Sequence, residues 1–207
     1  MSERDIPILV GFEMRKHWFV IIVALLLTAT VCAAGCTSNN TSSPPASPTR
    51  SPTFFPKTIS GYRTYTNSSA GLAIQYPPSW QLAEPGGIYT NAFFSVTGVN
   101  MSFTIAAPES FSGQSVTLDQ FSQDFQSALQ QNATSFTVNS SNITLAGYPA
   151  QKLVFTLVTG GVTRQGVSEL TIVNNTGYAL TYVANQDVYS DYAGIAQNMM
   201  QSFNITS

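Results

Sequence analysis

Hydrophobic and polar positions divide the chain into three stretches. An apolar run covers Trp18–Val31, a polar stretch rich in Ser, Thr, Pro and Asn follows, and alternating patterns begin near Lys57. Continuous apolar runs, low-complexity polar tracts and alternating patterns are typical of three different structures. We therefore expect a signal peptide or membrane anchor over residues 1–36, a disordered linker over residues 37–56, and a folded domain over residues 57–207.

The apolar run has the flanks of a secretory leader. Arg15 and Lys16 precede it and small residues end it at Cys36, which gives the order basic, apolar, cleavage region. The small residues before Cys36 resemble the lipobox of secreted lipoproteins, although Ala33 stands where Leu is usual. We expect Cys36 to become the N-terminal residue and to carry a lipid. Met14, directly before the basic pair, is an alternative start of the chain.

Two other fates of the leader stay open. An uncleaved helical anchor is one, because the apolar run approaches the roughly 20 residues that span a bilayer. Simple secretion without an anchor is the other. All three alternatives place the folded domain outside the cytoplasm, and the first two hold it at the outer face of the cytoplasmic membrane.

The linker and the domain are rich in N-glycosylation sequons. A tract such as residues 37–56 buries too little apolar surface to fold, and its prolines make it a semi-extended spacer. Asn-x-Ser/Thr sequons begin at Asn39, Asn40, Asn67, Asn100, Asn132, Asn139, Asn142, Asn174 and Asn204. Each is a candidate acceptor for a glycan.

Strand patterns dominate the domain. Extended runs are predicted at Leu72–Tyr76, from Trp80 onward, and at Ala92–Thr97, Met101–Ala106, Phe136–Leu145, Gln151–Val158, Val167–Val173 and Tyr178–Ala184. Turn residues separate these runs at Gly98-Val99-Asn100, Gly147-Tyr148-Pro149, Gly160-Gly161 and Asn174–Gly177. The spacing favours an antiparallel sheet.

Two helices interrupt the strand pattern. Thr117 and Gln120 have the spacing of a capping box, and apolar residues recur at helical spacing from Leu118 to Leu129. A second helix is predicted from Ser190, as its N-cap, and one face of it is lined by Tyr192, Ile195, Ala196, Met199 and Phe203. Strands with one helix in the middle and one at the end indicate an α+β fold, an α-β-α sandwich around a central antiparallel sheet.

Composition narrows the classes of function. Hydrophobic residues make up 43% of the 207 residues and charged residues only 9%, with a formal net charge of −2. The apolar content excludes disorder of the whole chain, and the absence of a basic field argues against nucleic-acid binding. Both cysteines, Cys32 and Cys36, lie in the leader, so the domain has no disulfide to form.

The domain lacks the residue types of several catalytic and metal sites. The sole histidine, His17, belongs to the leader, which leaves the domain without His or Cys. This excludes Ser-His-Asp and Cys-His nucleophile systems and the usual zinc sites. We expect no metal and no cofactor. Asp187 and Asp191 are four residues apart, as in a calcium site, but charge near a helix N-terminus explains them better.

A cluster of aromatic residues opens the domain. Its members are Tyr62, Tyr65, Tyr76, Trp80 and Tyr89. Packing in the core is the main interpretation, and an aromatic platform for a carbohydrate or a protein is the alternative.

Several motifs resemble those of the PsbP-like family. Gly71–Trp80 is similar to that family's opening pattern G-(apolar)-x-(apolar)-x-Y-P-x-x-W. Ile143–Ala150, Tyr178–Tyr182 and the closing segment Met200–Ile205 complete the resemblance, which covers nearly all of the domain. It implies an α-β-α sandwich that is usually non-enzymatic and often an exported subunit docked to a membrane assembly. The leader and the shortage of charge depart from the plant members and fit an archaeal or bacterial cell-surface lipoprotein of the PsbP-related branch.

These observations favour a non-enzymatic, lipid-anchored binding or accessory protein. Its expected partners are the membrane, through a lipid or an N-terminal helix, and another surface or membrane protein. One alternative is a surface hydrolase that uses two carboxylates drawn from Glu84, Glu109, Glu169 and Asp187. Another is a purely structural envelope protein, which heavy glycosylation together with the absence of an exposed apolar patch or groove would favour.

Overall fold

A computed structural model describes residues 58–83, 90–131 and 133–206. These residues form two antiparallel sheets and two helices. The leader, the linker, Cys36, Asn39, Asn40, Glu84, Tyr89 and Asn132 lie outside the described residues. No helix within the described ranges is long and apolar enough to cross a membrane.

The elements follow in an order dominated by strands. The strands are β1 (Arg63–Asn67), β2 (Leu72–Tyr76), β3 (Gln81–Ala83), β4 (Thr90–Ser95), β5 (Met101–Ala106), β6 (Glu109–Ser110), β7 (Ser135–Leu145), β8 (Tyr148–Thr159), β9 (Val162–Val173), β10 (Thr176–Asn185) and β11 (Asn204–Ile205). The helices are α1 (Leu118–Gln131), between β6 and β7, and α2 (Tyr189–Ser202), between β10 and β11.

The large sheet has eight strands and an open edge at β7. Its order is β3-β4-β5-β10-β9-β8-β7, and the short β6 pairs with β10 beside β5. A second sheet of three strands has the order β1-β2-β11. All pairings are antiparallel, as the sequence predicts.

Helix α1 covers one face of the large sheet. It packs on β7, β8 and β9 and buries its apolar residues against theirs. This cluster contains Ala106, Phe111, Phe121, Phe125, Ala128, Leu129, Leu153, Phe155, Leu157, Leu170, Ala179 and Val183. A glycine, Gly166, lies under the ring of Phe155, where an added Cβ would be only 2.2 Å from Cζ of that ring. The absence of a side chain at this position lets the ring lie flat on β9.

Helix α2 and the small sheet cover the opposite face. Their core contains Leu72, Ile74, Trp80, Phe94, Phe103, Ile105, Tyr178, Leu180, Tyr182, Ala196, Met199, Met200 and Phe203. Ser202 joins the two parts, since the backbone N–H of Gln75 in β2 donates to its Oγ at 2.9 Å. The large sheet therefore has one helix on each face, which confirms the predicted antiparallel α+β sandwich for the described residues.

Local details confirm one predicted helix start and correct the other. The Thr117 Oγ1 accepts from the Gln120 N–H at 3.2 Å and Gln120 Oε1 accepts from the Thr117 N–H at 2.9 Å, so the capping box is present. The N-cap of α2 is Val188, without a side-chain cap, and Ser190 lies inside the helix. The prediction that Ser190 caps this helix is therefore wrong.

The turn predicted at Gly147-Tyr148-Pro149 is shorter than expected. Ala146 and Gly147 alone make it, with φ of 51° and 83°, and Tyr148 and Pro149 already belong to β8. Proline is tolerated there because it stands at the beginning of the strand, where it removes little from the ladder.

Candidate functional site

The candidate carboxylates do not converge within the described residues. Glu109 in β6 is paired with Gly177. A Cβ atom added to Gly177 would point at the ring of Phe121 in α1, so this position faces α1. Glu169 in β9 contacts Lys152 and lies on the face covered by α2. Directly opposite residues point to the same side of a sheet, so these two carboxyl groups lie on opposite faces. Glu109 and Glu169 therefore do not form a facing pair of the kind a glycosidase needs.

Glu169 is held in a small polar network under α2. Its Oε1 lies 3.9 Å from Nζ of Lys152 and accepts from Nε2 of Gln197 at 3.4 Å, while Lys152 donates to Gln197 Oε1 at 2.9 Å. Burial raises the pKa of Glu169, and the charge of Lys152 and the Gln197 amide oppose that shift in part. These contacts link α2 to β8 and β9 of the sheet.

No metal centre is formed by the part of the chain that the structure describes, where no group of three or more His, Cys, Asp or Glu residues comes together. Asp191 lies in the first turn of α2, and Asp187 lies in the turn before it. Their position agrees with favourable charge near a helix N-terminus.

A row of hydroxyl side chains crosses the α1 side of the large sheet. Thr104, Thr181 and Ser168 stand directly opposite one another on β5, β10 and β9. Ser168 and Thr181 share a hydrogen bond of 2.9 Å. The hydroxyls of Thr104 and nearby Thr90 have no hydrogen-bond partner among the described residues, and each of the two residues is only 4% exposed. The row is therefore buried. The unpaired hydroxyls of Thr90 and Thr104 are expected to lower the free energy of unfolding.

Tyrosines gather where β10 leads into α2. Tyr182, at 0% exposure, donates its hydroxyl to the backbone carbonyl of Tyr189 at 2.9 Å, and the two ring centroids are 5.2 Å apart. Tyr192 packs edge-on against buried Trp80, with centroids 6.2 Å apart. We call these four residues the tyrosine cluster. Tyr189 and Tyr192 are half-buried, so the cluster has a buried floor and an accessible rim.

Backbone hydrogen bonds to two hairpins fix this region. The backbone N–H of Asn185 donates to the Asn100 carbonyl at 3.0 Å, and that of Gln186 donates to the Thr163 carbonyl at 3.1 Å. The turn before α2 is therefore attached to the β4–β5 and β8–β9 hairpins. Rings supported in this manner keep their orientation without an ordering cost on binding.

Electrostatics at the cluster favour neutral hydroxyls beside acidic groups. Burial is the main cause that raises the pKa of Tyr182, with further contributions from Tyr189, Asp191 and Tyr192, and burial also raises the pKa of Tyr189. These phenols therefore stay protonated at physiological pH. Asp187 and Asp191 are exposed beside them. The arrangement suits recognition by contact and hydrogen bonding better than acid–base chemistry.

The aromatic residues singled out in the sequence mostly form core. Tyr65, Tyr76 and Trp80 are buried, and Tyr62 is half-buried against the same cluster. The accessible aromatic rim belongs instead to Tyr192, which sequence analysis placed on one face of the last helix, and to Tyr189, which it did not single out. The sequence signal for this rim is a pair of tyrosines three residues apart at the start of a helix, close to Asp187 and Asp191.

The sequon asparagines occupy different environments. Asn100, Asn139, Asn142 and Asn174 are exposed, whereas Asn67 and Asn204 are half-buried. The Asn67 amide donates to Asn91 Oδ1 at 3.2 Å, and its own oxygen accepts from Ser69 at 2.7 Å and from the Ala70 N–H at 3.0 Å. A glycan on Asn67 would therefore disrupt a hydrogen-bonded turn.

Comparisons with known proteins show the fold. No family model and no curated protein matches the chain. The solution structure of cyanobacterial PsbP (CyanoP) from Synechocystis sp. PCC 6803 matches with a TM-score of 0.56 at 12% identity, covering 72% of this chain and 94% of that one.

Two further solved structures share the architecture. LpqN of Mycobacterium tuberculosis, described as involved in cell envelope biogenesis, matches with a TM-score of 0.53 at 15% identity over 66% of this chain and 83% of its own. A mutant of the protein Mog1 matches with a TM-score of 0.50 at 9% identity over 70% of this chain and 96% of its own. The described residues thus have a PsbP-like fold.

Proposed function

We propose that this chain is an extracytoplasmic, lipid-anchored accessory protein that binds a partner protein at the cell surface through the tyrosine cluster. Cys36 carries the lipid, residues 37–56 separate the domain from the membrane, and the domain acts without catalysis. The observation that carries the proposal is the accessible rim formed by Tyr189 and Tyr192 above the buried Tyr182 and Trp80.

The chemistry of this rim suits a protein partner. Tyrosine is enriched at the energetic centres of protein interfaces because it offers a large rigid surface together with a polar end. Asp187 and Asp191 add negative charge at the edge of the patch. We therefore expect a partner surface that presents lysine or arginine around an apolar contact, since opposite charges at the rim speed and orient association.

The dispersed titratable groups support a non-enzymatic role. The domain contains no His or Cys, and Glu109 and Glu169 lie on opposite faces of the sheet. Similarity of fold to LpqN, whose description concerns cell envelope biogenesis, is in keeping with an accessory role at the envelope. Fold alone does not fix a function, so the test must address the surface itself.

The decisive experiment is a chemical cross-linking pull-down from native membranes. The intact chain is compared with a leaderless control, with the single variant Tyr192→Ala and with the double variant Asp187→Asn/Asp191→Asn. Tyr148→Ala is the matched control, because Tyr148 is also a half-buried tyrosine but lies at the β7–β8 turn.

We expect the intact chain and the Tyr148 variant to recover the same partner protein. The Tyr192 variant should lose most of it, and the Asp variant should retain it with a weaker dependence on salt. Recovery of no partner above the leaderless control, or equal recovery by the Tyr192 variant, contradicts the proposal.

One observation favours the structural alternative. In residues 58–83, 90–131 and 133–206, Val154 is the one large hydrophobic side chain that is exposed. A chain without a partner-sized apolar patch is what a purely structural envelope protein would present. The same pull-down separates the two, because a structural protein recovers no specific partner that depends on Tyr192.

A further inference from the structure

Strand β7 leaves a long sheet edge open. It is 11 residues long and pairs with β8 on one side, and no other strand of the described ranges pairs with its outer side. Its sequence, SFTVNSSNITL, contains neither a charged residue nor a proline, and Asn139 to Asn142 are all exposed. Proteins normally guard such an edge with lysine, proline, a bulge or a short strand, because free backbone groups recruit other chains. None of these devices is present here.

The exposed Val154 lies beside the same part of the edge. It is 45% exposed and stands directly opposite Asn139 in the β7–β8 ladder. Opposite residues have their Cβ atoms about 4.5–5.5 Å apart and share a face. Whatever is attached to the Asn139 side chain therefore lies over Val154.

The two sequons of β7 place their asparagines on opposite faces of this edge. Asn139 shares the α2 side with Val154. Asn142 stands opposite Gln151, which donates to Asp119 of α1, so it lies on the α1 side. Three residues of strand separate the two by about 10 Å. Neither amide has a hydrogen-bond partner within the described chain.

Accessibility distinguishes these sequons from the other described ones. Recognition of a sequon involves both the asparagine and the hydroxyl residue two positions later. Both members are exposed in Asn139/Ser141 and in Asn142/Thr144. At Asn100 the hydroxyl residue Ser102 is buried, at Asn174 the residue Thr176 is half-buried, and at Asn67 and Asn204 the asparagine itself is half-buried.

We propose that Asn139 and Asn142 are glycosylated, and that the two glycans guard the β7 edge against pairing with another chain. One glycan lies on each face, and the glycan on Asn139 also covers Val154. Bulky hydrated saccharides thus replace the charges that this nearly uncharged surface lacks. This inference is independent of the tyrosine cluster, which lies on other elements.

The modification needs a saccharide donor outside the chain. A polyprenyl-phosphate-linked oligosaccharide is the donor class: the asparagine Nδ2 forms a bond to the anomeric carbon, and the bond from that carbon to the phosphate oxygen breaks. The polyprenyl phosphate leaves with the electron pair and takes up the proton that Nδ2 loses. No oxidation or reduction occurs.

The test combines site occupancy with association state. Full-length protein is purified from its native membranes, and glycopeptide mass spectrometry gives the occupancy of each sequon. The double variant Asn139→Gln/Asn142→Gln is compared with the matched double variant Asn100→Gln/Asn174→Gln by light scattering. A third protein adds Ser140→Lys to the β7 variant, which places a charge on the bare edge.

We expect glycans on both asparagines of β7. The β7 variant should lose that mass and associate to at least twice the native particle mass, the matched variant should keep the native mass, and Ser140→Lys should restore it. This rescue separates edge pairing from misfolding. The proposal is overturned if Asn139 and Asn142 are unmodified in the native protein. That holds in each of three cases: a bare edge, an edge paired with a second copy, and an edge covered by a partner strand. A β7 variant with unchanged particle mass overturns the guarding role.

Discussion

The ammonium group of Lys152 lies 3.9 Å from Oε1 of Glu169, a residue that is only 4% exposed. The lysine is the more exposed partner and keeps part of its hydration. Burial therefore acts mainly on the glutamate, whose pKa it raises. The pair connects β8 and β9 below Gln197 of α2, so its charge state bears on how firmly the helix is held.

We predict that Glu169→Gln removes a pH dependence of stability. The native state of the parent protein retains a proton on Glu169 at pH values where the unfolded state has lost it. The free energy of unfolding thus has its full contribution from Glu169 below the ordinary glutamate pKa and loses it as pH rises through the raised pKa. Urea unfolding from pH 4 to 8 should show a smaller decline for the variant. A steeper decline for the variant would contradict the burial argument.

In the hydroxyl row, valine substitutions at two neighbouring threonines are predicted to change the free energy of unfolding in opposite directions. Thr104→Val removes a buried hydroxyl that has no partner, so it should raise the free energy of unfolding by about 1 kcal/mol. Thr181→Val, directly opposite on β10, leaves Ser168 without its hydrogen bond and should lower it by about 1 kcal/mol. Chemical denaturation of both variants measures the difference. A destabilised Thr104 variant would indicate that a bound water satisfies this hydroxyl.

Alanine substitutions at two glycines are predicted to change stability in opposite directions, because one site is crowded and the other is open. Gly166→Ala would place a methyl group inside the Phe155 ring, and the forced displacement should cost about 1–3 kcal/mol of stability. Gly194 in α2 has no atom within 4 Å of an added Cβ, so Gly194→Ala should raise stability by about 0.5–1 kcal/mol. Thermal unfolding of the two variants tests the contrast. Equal effects of the two substitutions would show that Phe155 moves aside freely.

The two helix starts predict unequal sensitivity to loss of a hydroxyl. Thr117→Ala removes the capping-box acceptor of the Gln120 N–H and should cost about 1 kcal/mol. Ser190→Ala lies inside α2, which has no side-chain cap, and should change stability by less than about 0.5 kcal/mol. Circular dichroism melts of both variants provide the measurement, and a larger loss for Ser190→Ala would contradict the cap assignment.

Sequence reasoning succeeded where the signal is local. Leu72–Tyr76 has the predicted bounds because Gly71 and Pro77 limit it, and α1 begins after the predicted cap. Sequence analysis missed β1, which forms a hairpin with β2, and it missed β6 and β11, which pair with distant segments: Asn204 lies opposite Ala73, at the other end of the domain. Strands of two residues carry no periodicity of their own, so their partners alone define them.

The candidate site likewise combines features that are local in the sequence with features that depend on tertiary contacts. The sequons are readable as motifs, but only the ladder places Asn139 beside Val154 and Asn142 on the other face. The tyrosine cluster joins residues from three separate elements, and no spacing along the chain brings Trp80 next to Tyr192. Sequence reasoning identified Trp80 as a core residue. It could not show that Tyr192, which packs on Trp80, keeps part of its ring accessible.

The small sheet has a mechanical consequence. Strand β1 enters the domain and pairs only with β2, which also holds β11, while Ile59 is attached by its N–H to Gln75 Oε1 at 2.8 Å. Tension arriving from upstream of residue 58 therefore acts on the five-residue β1–β2 pairing. Strand β1 is also attached to the eight-stranded sheet, since the Tyr65 hydroxyl and the Asn67 amide both donate to Oδ1 of Asn91 in β4. A pull on the chain upstream of β1 therefore loads the β1–β2 pairing and the Asn91 contacts together, and the Gln75–Ser202 bond passes that load on to α2.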